Sequence, residues 1–242
     1  MTAVLKILVV LLALYFLYQG ARFVYLLGKS FEISSQARVF TAMATQGAKR
    51  ILIAGDSTAV GTGVSDPEDS IAGRLAHDFP EVHIDNIGQN GFTVGQTFAS
   101  LQNSHEHYDL ILIQVGGNNV LQLTSHDELV KEADMLLQKA KQLSKTVMLM
   151  PSGNVGLAPI FPRVMGEFFT ARTRKVRAVL LQAAEKASIT YIDLFAERGH
   201  DPLLENPKKN FSADLLHPSS IGYGIWYEEL RAQDGDALGA VR

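Results

Sequence analysis

Three residues that could act together on a substrate lie far apart in the sequence: a serine near the start of the segment that begins at about residue 50, and an aspartate and a histidine near its end. Ser57 follows the apolar run Ile51–Ala54 within Gly55-Asp56-Ser57, whereas Asp214 and His217 lie close to the end. A serine hydroxyl is a weak nucleophile at neutral pH, so it needs an imidazole within hydrogen-bond reach and a group that holds the imidazole in the useful tautomer. Because two residues separate Asp214 from His217, one turn can bring the carboxylate onto Nδ1 and leave Nε2 for Ser57.

Each of these motifs also has an ordinary structural interpretation. Gly-Asp-Ser after a strand is often a turn or a helix cap, Asn90-Gly91 is a common turn pair, and Asp214 and His217 could lie in a solvated loop. Asn118 in Gly116-Gly117-Asn118-Asn119 is less ordinary, because two glycines let an amide side chain approach a carbonyl and donate to a developing oxyanion. The occurrence of all these motifs in order favours a functional site.

Short apolar runs alternate with longer amphipathic segments after residue 50, which predicts alternating strands and helices. The predicted strands are Arg50–Ala54, Val82–Ile87, Leu110–Val115, Val147–Met150 and Thr190–Leu194, and the predicted helices are Ser70–Phe79, Thr93–Asn103, Asp127–Leu143, Val164–Ala187 and Ser219–Leu230. This rhythm indicates an α/β fold with a parallel sheet covered on both faces. Ligands bind beyond the carboxyl ends of such strands, where Ser57, Gly91 and Asn118 fall.

The N-terminus predicts a membrane helix. Every residue from Ile7 to Tyr18 is apolar or aromatic, and the run resumes at Phe23–Leu27. A helix over Ile7–Leu27 would span about 30 Å, the thickness of the hydrocarbon core of a bilayer. We therefore expect an uncleaved single-pass anchor at residues 1–28, a linker or short helix at 29–49 and a catalytic domain at 50–242. A cleaved secretory signal and a buried or interfacial helix are the alternatives.

Charge and composition bound the location and the partners. More Lys and Arg residues follow the apolar run than precede it, and this distribution favours a catalytic domain on the cytoplasmic side. A periplasmic or secreted domain is the alternative. A net charge of -3 argues against a nucleic acid partner. The absence of Cys excludes disulfides and thiolate catalysis. His105 and His107 resemble a metal pair but lack a clear third ligand. We expect no cofactor and no metal, and the oligomeric state is not indicated.

The four motifs together resemble those of the SGNH (GDSL-type) hydrolases. The matching pieces are Gly55-Asp56-Ser57, Gly91 with its neighbours, Asn118 with its glycines, and Asp214-Leu215-Leu216-His217-Pro218, over about residues 50–230. The resemblance implies a flavodoxin-like three-layer α/β/α sandwich with a mainly parallel five-stranded sheet. It implies that Ser57 is the nucleophile, His217 the general base and acid, and Asp214 the orienting carboxylate. The oxyanion hole would comprise the N–H groups of Ser57 and Gly91 and the Asn118 side chain.

The resemblance predicts a membrane-anchored serine esterase or lipase-type hydrolase that cleaves carboxylic esters. Lysophospholipids or other lipid-like acyl esters fit an anchored enzyme, and acetylated sugars are also compatible. An acyltransferase on the same machinery and a catalytically silent, membrane-tethered binding module are the alternatives. Asn119 departs from the family's frequent Asp, which affects the expected loop geometry. Phe161, Phe168 and Phe169 could line an acyl pocket or pack in the core.

Overall fold

The computed structural model describes residues 3–45 and 47–242, in which five strands alternate with helices. The strands are β1 (Arg50–Gly55), β2 (His83–Asn86), β3 (Leu110–Gln114), β4 (Val147–Leu149) and β5 (Thr190–Tyr191). The helices are α1 (Ala3–Gln36), α2 (Ser57–Val60), α3 (Ile71–Asp78), α4 (Val94–Leu101), α5 (Gly117–Leu121), α6 (His126–Leu143), α7 (Arg163–Ala187), α8 (Pro207–Asn210) and α9 (Ser220–Gln233).

The five strands form one parallel sheet in the order β2-β1-β3-β4-β5. Ile53 of β1 lies opposite Asn86 of β2 on one side and Leu112 of β3 on the other. The chain therefore reverses its direction of travel across the sheet between β1 and β3. Ligands commonly bind beyond the carboxyl ends of parallel strands at such a reversal. The predicted parallel sheet is confirmed, and this reversal lies next to Ser57.

Helices cover both faces of the sheet. Successive strand residues point to opposite sides, and in β1 the residues on both sides are apolar. Ile51 and Ile53 of β1 belong to a core formed with α3 and α9. Leu52 and Ala54 of the same strand belong to a second core formed with α4, α6 and α7. All four side chains are buried. This arrangement is the expected three-layer α/β/α sandwich.

The predicted helices and strands of the domain are confirmed, with bounds that differ by a few residues. The largest differences are three residues at one end: β5 ends at Tyr191 rather than Leu194, and α9 ends at Gln233 rather than Leu230. The Ile192 amide still donates to the Leu149 carbonyl of β4 at 2.9 Å, but the next amide, that of Asp193, donates to the Gln233 side chain of α9 at 2.8 Å instead of to the sheet. The short helices α2 and α5 were not predicted, since four or five residues are too few to show a helical apolar period.

The long N-terminal helix α1 includes the predicted span and continues to Gln36, into the segment predicted as a linker or short helix. Within the residues described, it is the one helix long and apolar enough to cross a membrane. Its most apolar 18-residue window has a mean hydropathy of 2.0, and none of that window is buried. A secretory signal would show the same pattern.

Residues that follow α1 lie along the edge of the sheet. Ala42 forms an antiparallel bridge with Ile84 of β2, with backbone hydrogen bonds of 3.1 and 2.8 Å. The chain thus passes from the end of α1 along β2 before it enters β1. The division into an anchor, a linker and a catalytic domain stays a prediction.

Candidate active site

Ser57 is the first residue of α2 and lies directly beyond β1. Asp56 caps this helix, because its carboxylate accepts hydrogen bonds from the amide and the hydroxyl of Thr58, both at 2.8 Å. The turn requires glycine at position 55, where φ is +141° and an added Cβ would lie 1.8 Å from the Gln114 carbonyl oxygen. The tight strand-to-helix turn thus presents Ser57 at the carboxyl edge of the sheet.

His217 and Asp214 lie in the loop that precedes α9, and they meet Ser57 across the domain. His217 Nε2 lies 3.0 Å from Ser57 Oγ, and His217 Nδ1 lies 2.6 Å from Asp214 Oδ2. Asp214 is fully buried, and His217 is 8% exposed. The structure therefore brings the three predicted residues into one hydrogen-bonded line. A serine, an imidazole and a carboxylate in this order can activate the serine hydroxyl.

The buried carboxylate of Asp214 is held through both oxygens. Its Oδ1 accepts hydrogen bonds from the Ser212 hydroxyl at 2.6 Å and from the amides of Leu216 at 2.9 Å and His217 at 3.0 Å. Burial alone would raise the pKa of Asp214, but the hydrogen bond and charge of His217, together with these donors, hold the pKa well below its ordinary value. Asp214 is therefore ionised at neutral pH and favours the proton on Nδ1 of His217.

Three hydrogen-bond donors of the predicted oxyanion hole lie around one cavity, which Ser57, Gly91 and Asn118 all line. Asn118 Nδ2 donates to the Phe92 carbonyl at 3.1 Å, and an amide group has a second hydrogen that remains available. Among the described residues, the backbone N–H groups of Ser57 and Gly91 have no protein acceptor. Three donors that could bind a substrate oxygen thus line the same cavity as Ser57.

Asn119, the residue at which the sequence departs from the resembled family, has a supporting position. Its side chain is fully buried and does not line the cavity. Oδ1 accepts a hydrogen bond from the Val94 amide at 3.0 Å, and Nδ2 donates to the Thr124 hydroxyl at 3.1 Å. Asn119 therefore joins the start of α4 to the turn after α5 and stabilises the loops on either side of Asn118.

The cavity beside Ser57 has a volume of about 460 Å³, which lies within the usual range for small-molecule sites. His217 also lines it, whereas Asp214 lies behind the imidazole. Its main apolar lining comes from Leu121, Val155, Leu203, Phe211, Leu216 and Trp226. The three phenylalanines considered for an acyl pocket, at positions 161, 168 and 169, do not line the cavity. Those at 161 and 169 pack against the two cores, and the one at 168 is exposed.

A model of the GDSL-like lipase/acylhydrolase family matches residues 53–225, which is well over half of the chain and includes Ser57, Gly91, Asn118, Asp214 and His217. The chain belongs to this family. It is therefore an ester-hydrolysing enzyme of the GDSL type, as the sequence motifs predict. No curated protein matches the sequence closely enough to count as a relative.

Solved structures of other GDSL and esterase proteins share this fold. A member of the lipolytic G-D-S-L family from Veillonella parvula is 17% identical over 76% of this chain and 97% of that chain, with a TM-score of 0.63. An α/β hydrolase from the metagenome of Lake Arreo is 20% identical over 83% and 98%, with a TM-score of 0.60. A variant of an acetyl xylan esterase from Geobacillus stearothermophilus is 22% identical over 79% and 96%, with a TM-score of 0.57.

Several residues at the site of this GDSL-family hydrolase were not predicted from the sequence. Ser212 contacts the carboxylate of Asp214, Asn90 precedes Gly91, and α1 contributes Ser30, Phe31 and Ser34 to the cavity lining. A signal for the α1 residues does exist, because Phe23, Leu26, Ser30 and Ser34 recur at the spacing of one helix face. Because two of these four residues are serines, the periodicity of apolar residues alone does not show this face.

Asp56 of this GDSL-family hydrolase has a raised pKa, which predicts that the free energy of unfolding depends on pH. Burial raises the pKa of Asp56 to about 6, although hydrogen bonds from Thr58 and Gly117 and the charge of His217 oppose the rise. Between about pH 4 and pH 6 the unfolded chain loses this proton while the folded protein keeps it, so stability falls as the pH rises. The total loss through this group is about 3 kcal/mol.

The Asp56→Asn variant isolates this effect, because its side chain does not titrate. We expect the free energy of unfolding of the wild type to fall relative to that of the variant as the pH is raised from about 4 to 7. Chemical denaturation of both proteins across this range measures the difference. A constant difference from pH 4 to 7 would contradict the raised pKa.

Proposed function

We propose that this GDSL-family hydrolase is a membrane-anchored serine esterase in which Ser57 is the nucleophile, His217 the general base and acid, and Asp214 the orienting carboxylate. The observation that carries the proposal is the line of hydrogen bonds of 3.0 and 2.6 Å from Ser57 through His217 to Asp214. This line ends at a cavity of about 460 Å³ with a mainly apolar lining. An activated serine beside such a cavity suits carboxylic esters with an apolar part.

The reaction would proceed through an acyl-enzyme. Ser57 Oγ attacks the ester carbonyl carbon while His217 Nε2 accepts the hydroxyl proton. The oxyanion is held by the N–H groups of Ser57 and Gly91 and by Asn118 Nδ2. The bond to the leaving alcohol breaks as Nε2 returns the proton to the alcohol oxygen. Water then attacks the acyl carbonyl carbon while His217 Nε2 accepts one of its protons. The bond to Ser57 Oγ breaks as Nε2 gives that proton to Oγ, which releases the carboxylic acid and restores the Ser57 hydroxyl.

The N-terminal helix supports the membrane part of the proposal. The exposed apolar stretch of α1 is long enough to cross the hydrocarbon core, with a mean hydropathy of 2.0 in its most apolar window. Phe23 and Leu26 further along α1 pack against the domain, so this part of the helix belongs to the folded enzyme. An anchored enzyme meets lipid esters at high local concentration. We therefore place lysophospholipids and similar acyl esters first among the substrates.

Covalent labelling with a fluorophosphonate probe tests the role of Ser57. We expect stoichiometric labelling of the wild type, with the modified peptide containing Ser57, and none of the Ser57→Ala variant. Ser152→Ala is the matched control and should label normally, because Ser152 lines the same cavity but has no hydrogen bond to His217. Unchanged labelling of Ser57→Ala would overturn the assignment of the nucleophile. Failure of the wild type to hydrolyse any of a panel of esters would favour the catalytically silent alternative.

A further inference from the structure

The second half of α1 is built into the domain, whereas the first half is not. Leu26 is 5% exposed and belongs to the core, and the Phe23 ring lies 6.2 Å from the Phe161 ring. The Arg22 guanidinium donates to the carbonyls of Pro159 and Ile160 at 2.7 and 3.2 Å. By contrast, the large apolar side chains from position 4 to position 18 are exposed. Arg22 thus marks the point at which the helix meets the domain.

Beyond Arg22, the helix reaches the cavity that contains Ser57. Ser30, Phe31 and Ser34 line this cavity together with Ser57 and His217. Ser30 is buried at 7% exposure, whereas Phe31 is 69% exposed and stands at the rim. One wall of the candidate active site therefore comes from the same helix that carries the apolar N-terminal stretch.

The end of α1 also holds the loop that carries an oxyanion donor. Carbonyl groups in the last turn of a helix lack partners within the helix. The Ser34 carbonyl accepts a hydrogen bond of 2.8 Å from Asn90 Nδ2, and Asn90 Oδ1 accepts one of 2.6 Å from the Thr62 hydroxyl. Because Asn90 directly precedes Gly91, this contact ties the helix to the position of the Gly91 amide.

The length of the helix places the cavity near a membrane surface. The stretch from Ala3 to Ala21 is about 28 Å long, enough for the hydrocarbon core of about 30 Å when flanking residues reach the interface. Phe31 lies about 13 Å further along the helix than Arg22. The headgroup layer is about 5–8 Å thick on each side. The cavity rim therefore lies just beyond the headgroups, within reach of a lipid that rises partly out of the leaflet.

We propose that residues 22–36 of α1 form the membrane-side wall of the substrate site, and that Phe31 contacts the apolar chain of a lipid ester drawn from the adjoining leaflet. This inference rests on the proposed esterase function and names its substrate class, an ester with one long apolar chain. The helix thereby determines chain-length preference as well as location.

A matched pair of aromatic substitutions in the full-length protein tests the wall. Phe31 and Tyr25 are similarly exposed, at 69% and 64%, and both lie on α1, but only Phe31 lines the cavity. We expect Phe31→Ala to lower kcat/KM about 10-fold for a nitrophenyl dodecanoate ester and less than about 2-fold for the acetate ester, since only the long chain reaches the rim. Tyr25→Ala should leave both values unchanged. The protein is assayed in detergent micelles.

A second pair uses the buried and exposed serines of the same helix. Ser30→Leu should fill part of the cavity and reduce turnover of the dodecanoate ester while acetate turnover persists, whereas Ser35→Leu, at an exposed position, should change neither. Circular dichroism checks that the variants are folded. The proposal is overturned if Phe31→Ala behaves like Tyr25→Ala, and Ser30→Leu like Ser35→Leu, on both esters. Acetate hydrolysis by the wild type reports separately on the esterase function, so the two failures are distinguishable.

Discussion

Replacing Asp214 with Asn is expected to lower kcat about 10⁴-fold, because the variant stabilises the wrong tautomer of His217. Oδ1 of Asp214 accepts three hydrogen bonds, from Ser212 and from the amides of Leu216 and His217. The oxygen of an asparagine amide would occupy this position, which leaves its NH₂ group against His217 Nδ1. The imidazole then holds its proton on Nε2 and cannot accept the proton of Ser57.

Ser212→Ala is the matched control for this prediction. It removes the 2.6 Å hydrogen bond to Asp214 but keeps the carboxylate, so we expect a loss of kcat of no more than about 10-fold. Steady-state hydrolysis of a nitrophenyl ester, followed as a function of pH, measures both variants. Activity of Asp214→Asn within about 10-fold of the wild type would show that the carboxylate does not orient the base.

The sheet and the positions of several site residues follow from local features of the sequence. β1 and β3 are buried on both faces, so Arg50–Gly55 and Leu110–Gln114 appear as nearly continuous apolar runs. Ser57 lies two residues and Asn118 four residues after the ends of these two runs. Because neighbouring parallel strands end at the same edge, the topology alone brings these two residues near each other.

Other parts of the site depend on contacts that no local pattern encodes. The loop with Asp214 and His217 follows no strand, so its approach to Ser57 is predicted from the chemistry and order of the motifs and from the family resemblance, and not from the strand pattern. Arg22 donates to the Pro159 carbonyl, 137 positions away, and no local pattern in either segment indicates this contact. The departure at Asn119 predicts an effect on loop geometry, but the sequence does not indicate its partners, which are the Val94 amide and the Thr124 hydroxyl.

In the helix α1, an exposed apolar stretch and a wall of the cavity belong to one continuous element. A simple tether would be followed by a flexible linker, as the composition of residues 29–49 suggests. Instead the helix remains regular to Gln36 and ends on Asn90, beside the Gly91 loop. The second half of α1, the cavity wall and the loop that carries Gly91 therefore form one packed unit, which continues into the exposed apolar stretch. This continuity fixes the distance between the apolar stretch and Ser57, which a linker would leave variable.

Replacing Asn118 with Ala is expected to lower kcat about 10²–10³-fold with little change in KM, since a donor to the oxyanion acts mainly in the transition state. Asn118 Nδ2 also donates to the Phe92 carbonyl at 3.1 Å, so a loss of loop stability must be separated from a loss of oxyanion stabilisation. Gln122→Ala provides the control. Gln122 follows the same short helix, and its Nε2 donates to the Gly91 carbonyl, also at 3.1 Å.

The two amide side chains support the same loop through similar bonds, but only Asn118 lines the cavity. If both act by holding the loop, the two variants will lose activity to a similar extent. If Asn118 donates to the oxyanion, its loss will exceed that of Gln122→Ala by about 10-fold or more and will fall on kcat. Steady-state kinetics of both variants on the acetate ester distinguish these outcomes, and equal losses would remove Asn118 from the oxyanion hole.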